Sequence, residues 1–267
     1  MKWSRFNYEN QTHYGYVIDH DKIQPVEAKN ILDIINGNIV FSSSPINIDK
    51  IKIMAPFQPK TIVCVGLNYM DHCEEQNIEI PKSPVLFSKQ PDSIIGHLEK
   101  IKWSKKVTTQ VDYEVELGLV IGKVAKNVNE DSAMDYIFGY VPANDVSARD
   151  LQFSDGQWFR GKSLDTFCPI GPFIVTKDEV KNPQELSLKC HVNGVTYQDS
   201  NTNKMIFSIK KLISFISHSF TLYPGDLILT GTPDGVGFFR EPQIFLKSGD
   251  KVEIEIEKLG LLENTVG

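Results

Sequence analysis

The sequence lacks the features that mark membrane-spanning, secreted and nucleic-acid-binding proteins. No run of apolar residues approaches the length of a membrane span, and residues 1–6 lack the apolar core of a signal peptide. Positive charge is not in excess either. The net charge is −6, which argues against nucleic acid or an anionic membrane surface as the main partner. We therefore expect that neither nucleic acid nor a membrane is a partner of this protein.

Cysteine is scarce, and its spacing excludes the common thiolate sites. The four cysteines are Cys64, Cys73, Cys168 and Cys190, and no two of them form a Cys-x-x-Cys pair. Scattered cysteines are more typical of a reducing compartment than of a disulfide framework, so we expect a cytoplasmic protein. Cys73 follows a histidine, but the sequence shows no further partner for a nucleophilic cysteine.

The chain is long enough to bury a large core, and its patterns predict many strands with few helices. Residues 1–57 indicate a small leading α+β domain with a hairpin at 14–26 and a helix at 27–36. Residues 58–267 indicate a larger domain. Its predicted strands are 61–66, 85–88, 113–122, 136–144, 171–176, 187–193, 227–230 and 251–257, and its predicted helices are 130–138 and 208–220. This order favours an α+β, β-rich fold over a doubly wound sheet.

Two glutamates one residue apart, Glu114 and Glu116, lie in a segment that otherwise has the pattern of a strand. Alternate residues of a strand point to the same side, so both carboxylates leave one face about 7 Å apart. Asp145 follows the next predicted strand. Three carboxylates without thiolates or paired histidines suit a hard cation, Mg²⁺ first, with Mn²⁺ or Ca²⁺ as alternatives. Taken alone, however, alternating glutamates are more often a solvated sheet face, as residues 253–257 indicate.

Residues 156–163 match the phosphate-binding pattern Gly-x₄-Gly-Lys-Ser letter for letter, but the surrounding sequence does not fit that motif. A phosphate loop needs a buried strand before it and a helix after it. Here a polar segment precedes the match, and Pro169 leaves little room for a helix behind it. We therefore reject nucleotide hydrolysis. Lys162 remains a candidate site residue, because it is a cation near carboxylate-rich segments.

A histidine and a glutamate follow directly on the predicted strand 61–66. His72 and Glu75 are three residues apart, so on a helical turn they share a face and can form a hydrogen bond. A carboxylate in this position orients the imidazole and raises its basicity, which gives a pair able to activate water. The alternative is a surface helix in which the two residues have no common role.

Two further segments carry residues that could bind a substrate. Arg149 offers a fork of N–H donors suited to a carboxylate, and Gln152 follows three residues later. The glycine-rich loop 229–237, which includes Gly231, could bring its backbone close to a ligand. The alternatives are a surface ion pair for the arginine and a plain turn for the loop.

The order of these segments along one chain resembles the fumarylacetoacetate hydrolase family, from about residue 58 to the C-terminus. The segments that carry the resemblance are Gly66-Leu67-Asn68-Tyr69 with His72 and Glu75, Glu114-Val115-Glu116-Leu117, Asn144-Asp145-Val146-Ser147-Ala148-Arg149-Asp150, Gly161-Lys162-Ser163 and Thr230-Gly231-Thr232-Pro233. Each segment is short, but together and in this order they are highly specific.

The resemblance implies a mixed, twisted β-roll with a smaller N-terminal domain, assembled as a homodimer. The residues it assigns to an Mg²⁺ or Mn²⁺ ion are Glu114, Glu116 and Asp145. The catalytic residues it implies are His72 and Glu75, on a mobile segment that orders over bound substrate, and Lys162, near the reacting carbonyl. The substrate contacts it implies are Arg149, Gln152 and Thr232, to which we add Gly231 from the same loop.

We therefore predict a divalent-metal-dependent enzyme that cleaves or tautomerises a small 2-oxo or 1,3-dicarbonyl acid. Cleavage would be hydrolysis or decarboxylation through an enolate held at the metal, with Lys162 beside the oxyanion and His72 activating water for the hydrolysis. One alternative is a 2-hydroxyhepta-2,4-diene-1,7-dioate isomerase or decarboxylase of aromatic catabolism. A second is a metal- and ligand-binding protein without turnover, which the joint presence of His72, Glu75 and Lys162 disfavours.

Overall fold

A computed structural model describes residues 1–41 and 44–267. The α-helices are α1 Ile31–Ile35, α2 Met70–Glu75, α3 Arg149–Ser154, α4 Phe159–Lys162 and α5 Ile209–Ser219. The strands are β1 Lys2–Tyr8, β2 Gln11–Asp19, β3 Lys22–Glu27, β4 Val40–Phe41, β5 Ile46–Asn47, β6 Lys52–Ile53, β7 Ile62–Gly66, β8 Val85–Ser88, β9 Ile94–Ile95, β10 Lys100–Ile101, β11 Val111–Asp112, β12 Val115–Ile121, β13 Ile137–Asn144, β14 Ser147–Ala148, β15 Cys168–Pro169, β16 Ile174–Thr176, β17 Ser187–Val192, β18 Val195–Asn201, β19 Leu227–Leu229, β20 Lys251–Ile256 and β21 Gly260–Val266. Short 3-10 helices lie at Ile48–Lys50, Pro91–Ser93, Glu130–Tyr136, Lys177–Glu179, Thr202–Lys204 and Gly237–Phe239.

Within the described ranges, twelve strands form one mixed sheet whose main path runs β4-β3-β2-β1-β16-β13-β12-β19-β7-β8. Its strand β12 is buried along its whole length, and it pairs antiparallel with β13 and β19. Strands β19 and β7 run parallel. A second sheet, β10-β21-β20-β17-β18, shares an apolar core with the first. The predicted α+β, β-rich fold is confirmed.

The strands of the leading residues extend the main sheet. The predicted hairpin is β2 and β3, which pair antiparallel, and β1 continues the sheet by pairing with β16. The helix expected at 27–36 is shorter, because Asn30 accepts the Leu32 N–H and so starts α1 at Ile31. The division of the chain at residue 57 stays a prediction.

The two helices predicted in the larger domain have different outcomes. Helix α5 is confirmed, and its cap is Ser208, whose side chain accepts from Lys211 N. Phe220, the last residue of the predicted helix, is 44% exposed, because the helix ends at Ser219 and the chain is extended at Phe220. The helix predicted at 130–138 is wrong in type and extent. Residues Glu130–Tyr136 form a 3-10 helix, and pairing with β12 and β16 then draws the chain into β13.

Two segments that imitate functional motifs are explained by their surroundings. The match to the phosphate-binding pattern follows α3 rather than a buried strand, and the four-residue α4 ends inside it. The glutamates near the C-terminus lie on β20, where Ile254 and Ile256 are buried and Glu255 is exposed. That solvated face was predicted and is confirmed.

In the described part of the chain, no helix combines the length and the apolar character that crossing a bilayer demands.

Candidate active site

Three acidic side chains converge where β12 begins and β13 ends. Glu114 precedes β12, Glu116 lies in it, and Asp145 follows β13. The Asp145 N–H donates to the Glu114 carbonyl at 2.9 Å, which holds the two strand ends together. One oxygen from each carboxylate lies within 4.8 Å of the others, and all three residues are at most 5% exposed. A solvated sheet face is therefore the wrong interpretation for this segment.

Three cations surround this acidic cluster. Lys162 Nζ lies 2.7 Å from Glu114 Oε2 and 2.7 Å from Asp145 Oδ2. Arg149 NH1 lies 2.7 Å from Glu114 Oε1. Lys89 Nζ lies 2.5 Å from Asp145 Oδ1. Lys89 was not predicted from the sequence, where the only signal is a lysine that directly follows an apolar strand, and many surface lysines share that pattern.

The electrostatics of the cluster are uneven. Burial by itself would raise the pKa of Glu114, but Lys162 and Arg149 outweigh it and lower that pKa to about 2. Burial raises the pKa of Glu116 well above its usual value, and the charges of Asp145 and Glu114 raise it further. Unlike Glu114 and Asp145, Glu116 has no ion-pair partner among the described residues, and its Oε2 accepts from Gly231 N at 2.7 Å.

The donor set fits a hard divalent cation. Its atoms are carboxylate oxygens only, close enough to share one Mg²⁺, Mn²⁺ or Ca²⁺. Three buried side-chain polar atoms in the described structure also lack a hydrogen-bond partner, namely the Tyr69 hydroxyl, Asn144 Nδ2 and Arg149 NH2, the last of which has only its ion-pair contact with Asp112. Tyr69 is near enough for the charge of Glu116 to raise its pKa, after the larger effect of burial. Orphaned polar groups at such a place point to further polar occupants such as ordered water.

His72 and Glu75 lie on α2, directly behind β7, and they form the predicted hydrogen bond. His72 Nδ1 lies 3.0 Å from Glu75 Oε2, and Gly235 N donates to the other carboxylate oxygen at 2.9 Å. Because a carboxylate can only accept, Nδ1 carries the hydrogen, and in the neutral imidazole Nε2 is then the nitrogen with the available lone pair. The Phe239 ring packs edge-on at 6.0 Å from the imidazole. The pair is thus oriented from two sides.

One cavity brings most of the predicted site residues together. Its polar walls are formed by His72, Glu114, Glu116, Arg149, Gln152, Lys162 and Thr232. Its apolar walls include Phe87, Phe153, Trp158 and Phe239. The remaining predicted residues stand behind these walls. Asp145 is fully buried, Glu75 supports His72, and the backbone N–H of Gly231 holds Glu116 rather than facing the cavity.

The guanidinium of Arg149 is not the free fork that the sequence suggested. Its Nε and NH2 lie 2.9 and 2.8 Å from Asp112 Oδ2, and its NH1 also donates to Gln152 Oε1 at 3.0 Å. Asp112 further accepts from Gly237 N and Phe238 N, so it ties the arginine to the turn that carries Phe239. Asp112 was not predicted, because its partners are distant in sequence.

Comparisons with known proteins agree with this arrangement. Residues 61–267 match the family model "Fumarylacetoacetate (FAA) hydrolase C-terminal". The chain is 49% identical over 219 residues to "Oxaloacetate tautomerase Fahd2a, mitochondrial" of Rattus norvegicus, covering 81% of this chain and 70% of that protein. The word mitochondrial belongs to that relative, and a cytoplasmic location for this chain stays a prediction.

Solved structures of related proteins align with the whole of this chain. A fumarylacetoacetate hydrolase from psychrophilic Exiguobacterium antarcticum has a TM-score of 0.90 at 36% identity, with 99% of its own chain covered. A 2-hydroxyhepta-2,4-diene-1,7-dioate isomerase from Mycobacterium marinum has a TM-score of 0.86 at 36% identity, with 98% of its own chain covered. The matched family model and these relatives show that this chain belongs to the fumarylacetoacetate hydrolase family.

Proposed function

We propose that this chain is a divalent-metal-dependent enzyme that interconverts the keto and enol forms of a small 2-oxo acid, with oxaloacetate as the first candidate. The observation that carries the proposal is a single cavity that presents the His72 imidazole, the Lys162 ammonium and the carboxylates of Glu114 and Glu116 together, with Asp145 directly behind its wall. The tautomerase named among the relatives supports the reaction type. Tautomerisation moves one proton between the carbon beside the carbonyl and the carbonyl oxygen, so it needs a base and a stabilised oxyanion.

The residues of the chain divide these tasks. When bound, a divalent cation held by Glu114, Glu116 and Asp145 supplies Lewis-acid stabilisation of negative charge on the 2-oxo oxygen. His72 Nε2 takes the proton from the carbon beside the carbonyl and returns it to the oxygen, and Glu75 stabilises the imidazolium in between. Lys162 donates two of its three N–H groups to carboxylates, and the third can donate to the developing oxyanion.

The surrounding side chains favour proton transfer within the substrate over exchange with solvent. Phe87, Trp158 and Phe239 form apolar walls of the cavity, and His72 is only 6% exposed. Excluding water strengthens each electrostatic contact inside the cavity. A homodimeric assembly, a cytoplasmic location and the lack of nucleic-acid or membrane partners remain predictions from the sequence.

A second candidate is isomerisation of 2-hydroxyhepta-2,4-diene-1,7-dioate, which is supported by the similarity to the Mycobacterium marinum structure along the whole chain. The same base and oxyanion donors would serve, because that reaction also moves a proton next to an enolised carbonyl. The two candidates differ in the length of the diacid that the cavity has to hold. Hydrolysis or decarboxylation of a similar acid stays an alternative outcome of the same assays.

The test is the rate at which the ultraviolet absorbance of enol oxaloacetate decays with Mg²⁺, with and without protein. We expect His72→Asn to lower the catalysed rate by about 10²- to 10⁴-fold, the usual contribution of a general base. The control is His218→Asn, because that histidine is exposed on α5. An unchanged rate in His72→Asn would refute the assigned base. A wild-type protein that leaves oxaloacetate untouched but isomerises the dienedioate would favour the second candidate.

A further inference from the structure

Lys89 is a buried ammonium that the scheme above does not use. It follows β8, is 2% exposed, and is not part of the cavity wall. Its Nζ donates to Asp145 Oδ1 at 2.5 Å and to the Val146 carbonyl at 3.1 Å. Both partners are acceptors, so the lysine is held behind the acidic cluster, and the predicted metal ligand that it contacts is Asp145.

With Lys89 included, the three predicted metal ligands differ in the number of cations that contact them. Asp145 has an ammonium on each carboxylate oxygen, Lys89 on Oδ1 and Lys162 on Oδ2. Glu116 has no ion-pair partner in the part of the chain that the structure describes. A substrate that engages Lys162 would weaken one side of this clamp, and Lys89 would still fix the rotamer and the charge balance of Asp145.

The charge of the whole buried group shows what Lys89 contributes. Four carboxylates, Asp112, Glu114, Glu116 and Asp145, face three cations, Lys89, Arg149 and Lys162, so the ionised group carries −1. With a divalent cation it carries +1, which suits an anionic substrate. Without Lys89 the same loaded group would be neutral. Charges a few ångströms apart in a buried site interact strongly, so this difference affects both the cation and the anion.

We propose that Lys89 is a positioning residue whose charge, acting through Asp145, lowers the affinity of the site for the metal ion and raises its affinity for the anionic substrate. Its positive charge beside Asp145 weakens the binding of a divalent cation. The same charge leaves the loaded site with the net positive charge that draws in the carboxylate of a 2-oxo acid. The inference rests on the proposed function only for the identity of that anion, because the effect on the metal follows from the ion pair alone.

A purely structural role for Lys89 predicts something different. Burying an ammonium is unfavourable, and its partner offsets that cost only when the geometry is good. A lysine that merely filled space or fixed the fold would, when replaced, disturb Asp145 and lower metal and anion affinity together. Opposite changes in the two affinities are expected only if the charge of Lys89 matters at the site.

The test is calorimetric titration of the purified, metal-free protein with Mg²⁺ alone, followed by titration of the Mg²⁺-loaded protein with oxamate, an unreactive 2-oxo acid analogue. We expect Lys89→Met to bind Mg²⁺ about tenfold more tightly and oxamate about tenfold more weakly than wild type. Lys89→Arg keeps the charge and should restore both affinities to within about threefold. Lys189→Met, on the half-exposed side of β17, is the matched control and should change neither.

Parallel losses of both affinities in Lys89→Met, or no change in either, would overturn the proposal, as would an arginine variant that behaves like methionine. If Lys89→Met does not fold, Lys89→Gln keeps one donor for Asp145 without the charge and gives the same comparison. The Mg²⁺ titration needs no turnover. A protein that shows the opposite affinity changes but leaves oxaloacetate unconverted would therefore support this inference and refute the proposed function.

Discussion

Asp112 offers the sharpest test of how the site is held together. Its Oδ2 accepts from Arg149 and Phe238 N, and its Oδ1 accepts from Tyr113 N and Gly237 N. Every neighbour of this fully buried carboxylate is therefore a donor. In Asp112→Asn, the amide NH₂ would face donors whichever way the side chain is turned. The substitution keeps the volume, removes the charge and replaces one acceptor with a donor.

The contacts of Asp112 indicate how much folding stability Asp112→Asn should lose. Removing one partner of a buried ion pair costs about 3–5 kcal/mol, because the other charge is left uncompensated. Arg149 would keep Glu114 at 2.7 Å, which favours the lower end of that range. For a chain of this size the loss corresponds to a fall in Tm of about 10 °C. Turnover should also fall, because the Gly237–Phe239 turn carries an aromatic wall of the cavity.

The measurement is thermal and urea unfolding of wild type and variant at one protein concentration, followed by circular dichroism. Asp199→Asn is the control, because its ion pair with Lys189 joins side chains that are 57% and 39% exposed. Surface pairs of that kind contribute about 0–1 kcal/mol. If Asp112→Asn stayed within about 1 kcal/mol of wild type, the view that buried donors depend on this carboxylate would be wrong.

Two more substitutions test the cavity and the loop beside α2. In Gly66→Ala, the new Cβ would overlap the Trp158 ring, so we expect the ring to shift into the cavity. The value of kcat/KM should then fall by about 10²-fold, while the variant still folds. Unchanged kinetics would contradict this prediction. Burial raises the pKa of Asp234, and so does the charge of Asp71. A raised folded-state pKa favours the protonated form, so the stability that Asp234 contributes at low pH is lost as pH rises through that pKa. Asp234→Asn should therefore raise Tm at pH 7 and lose this advantage near pH 4; an equal gain at both pH values, measured by calorimetry, would contradict it.

Features that depend on neighbours in the chain could be predicted from the sequence. The spacing of His72 and Glu75 gives their hydrogen bond, because three residues make about one helical turn. Ser208 caps α5 through an N–H three residues away. The alternation of Glu114 and Glu116 places both carboxylates on one side of a strand. Each of these relations joins residues within one helical turn or one strand, so the local pattern is enough to predict it.

The rest was decided by contacts between distant parts of the chain. Lys89 lies 56 residues from Asp145, and Asp112 lies 37 residues from Arg149. The sequence around Lys89 or Asp112 is indistinguishable from that of a solvated charge, because burial is a property of the packed sheets. The same packing limited the predicted helix at 130–138 to a 3-10 helix that ends at Tyr136, where the strand predicted at 136–144 begins. The sequence by itself determined which acids and bases this protein has and how neighbouring ones are spaced. Only the tertiary structure decided which charges are buried together, because that depends on strand pairing across the whole chain.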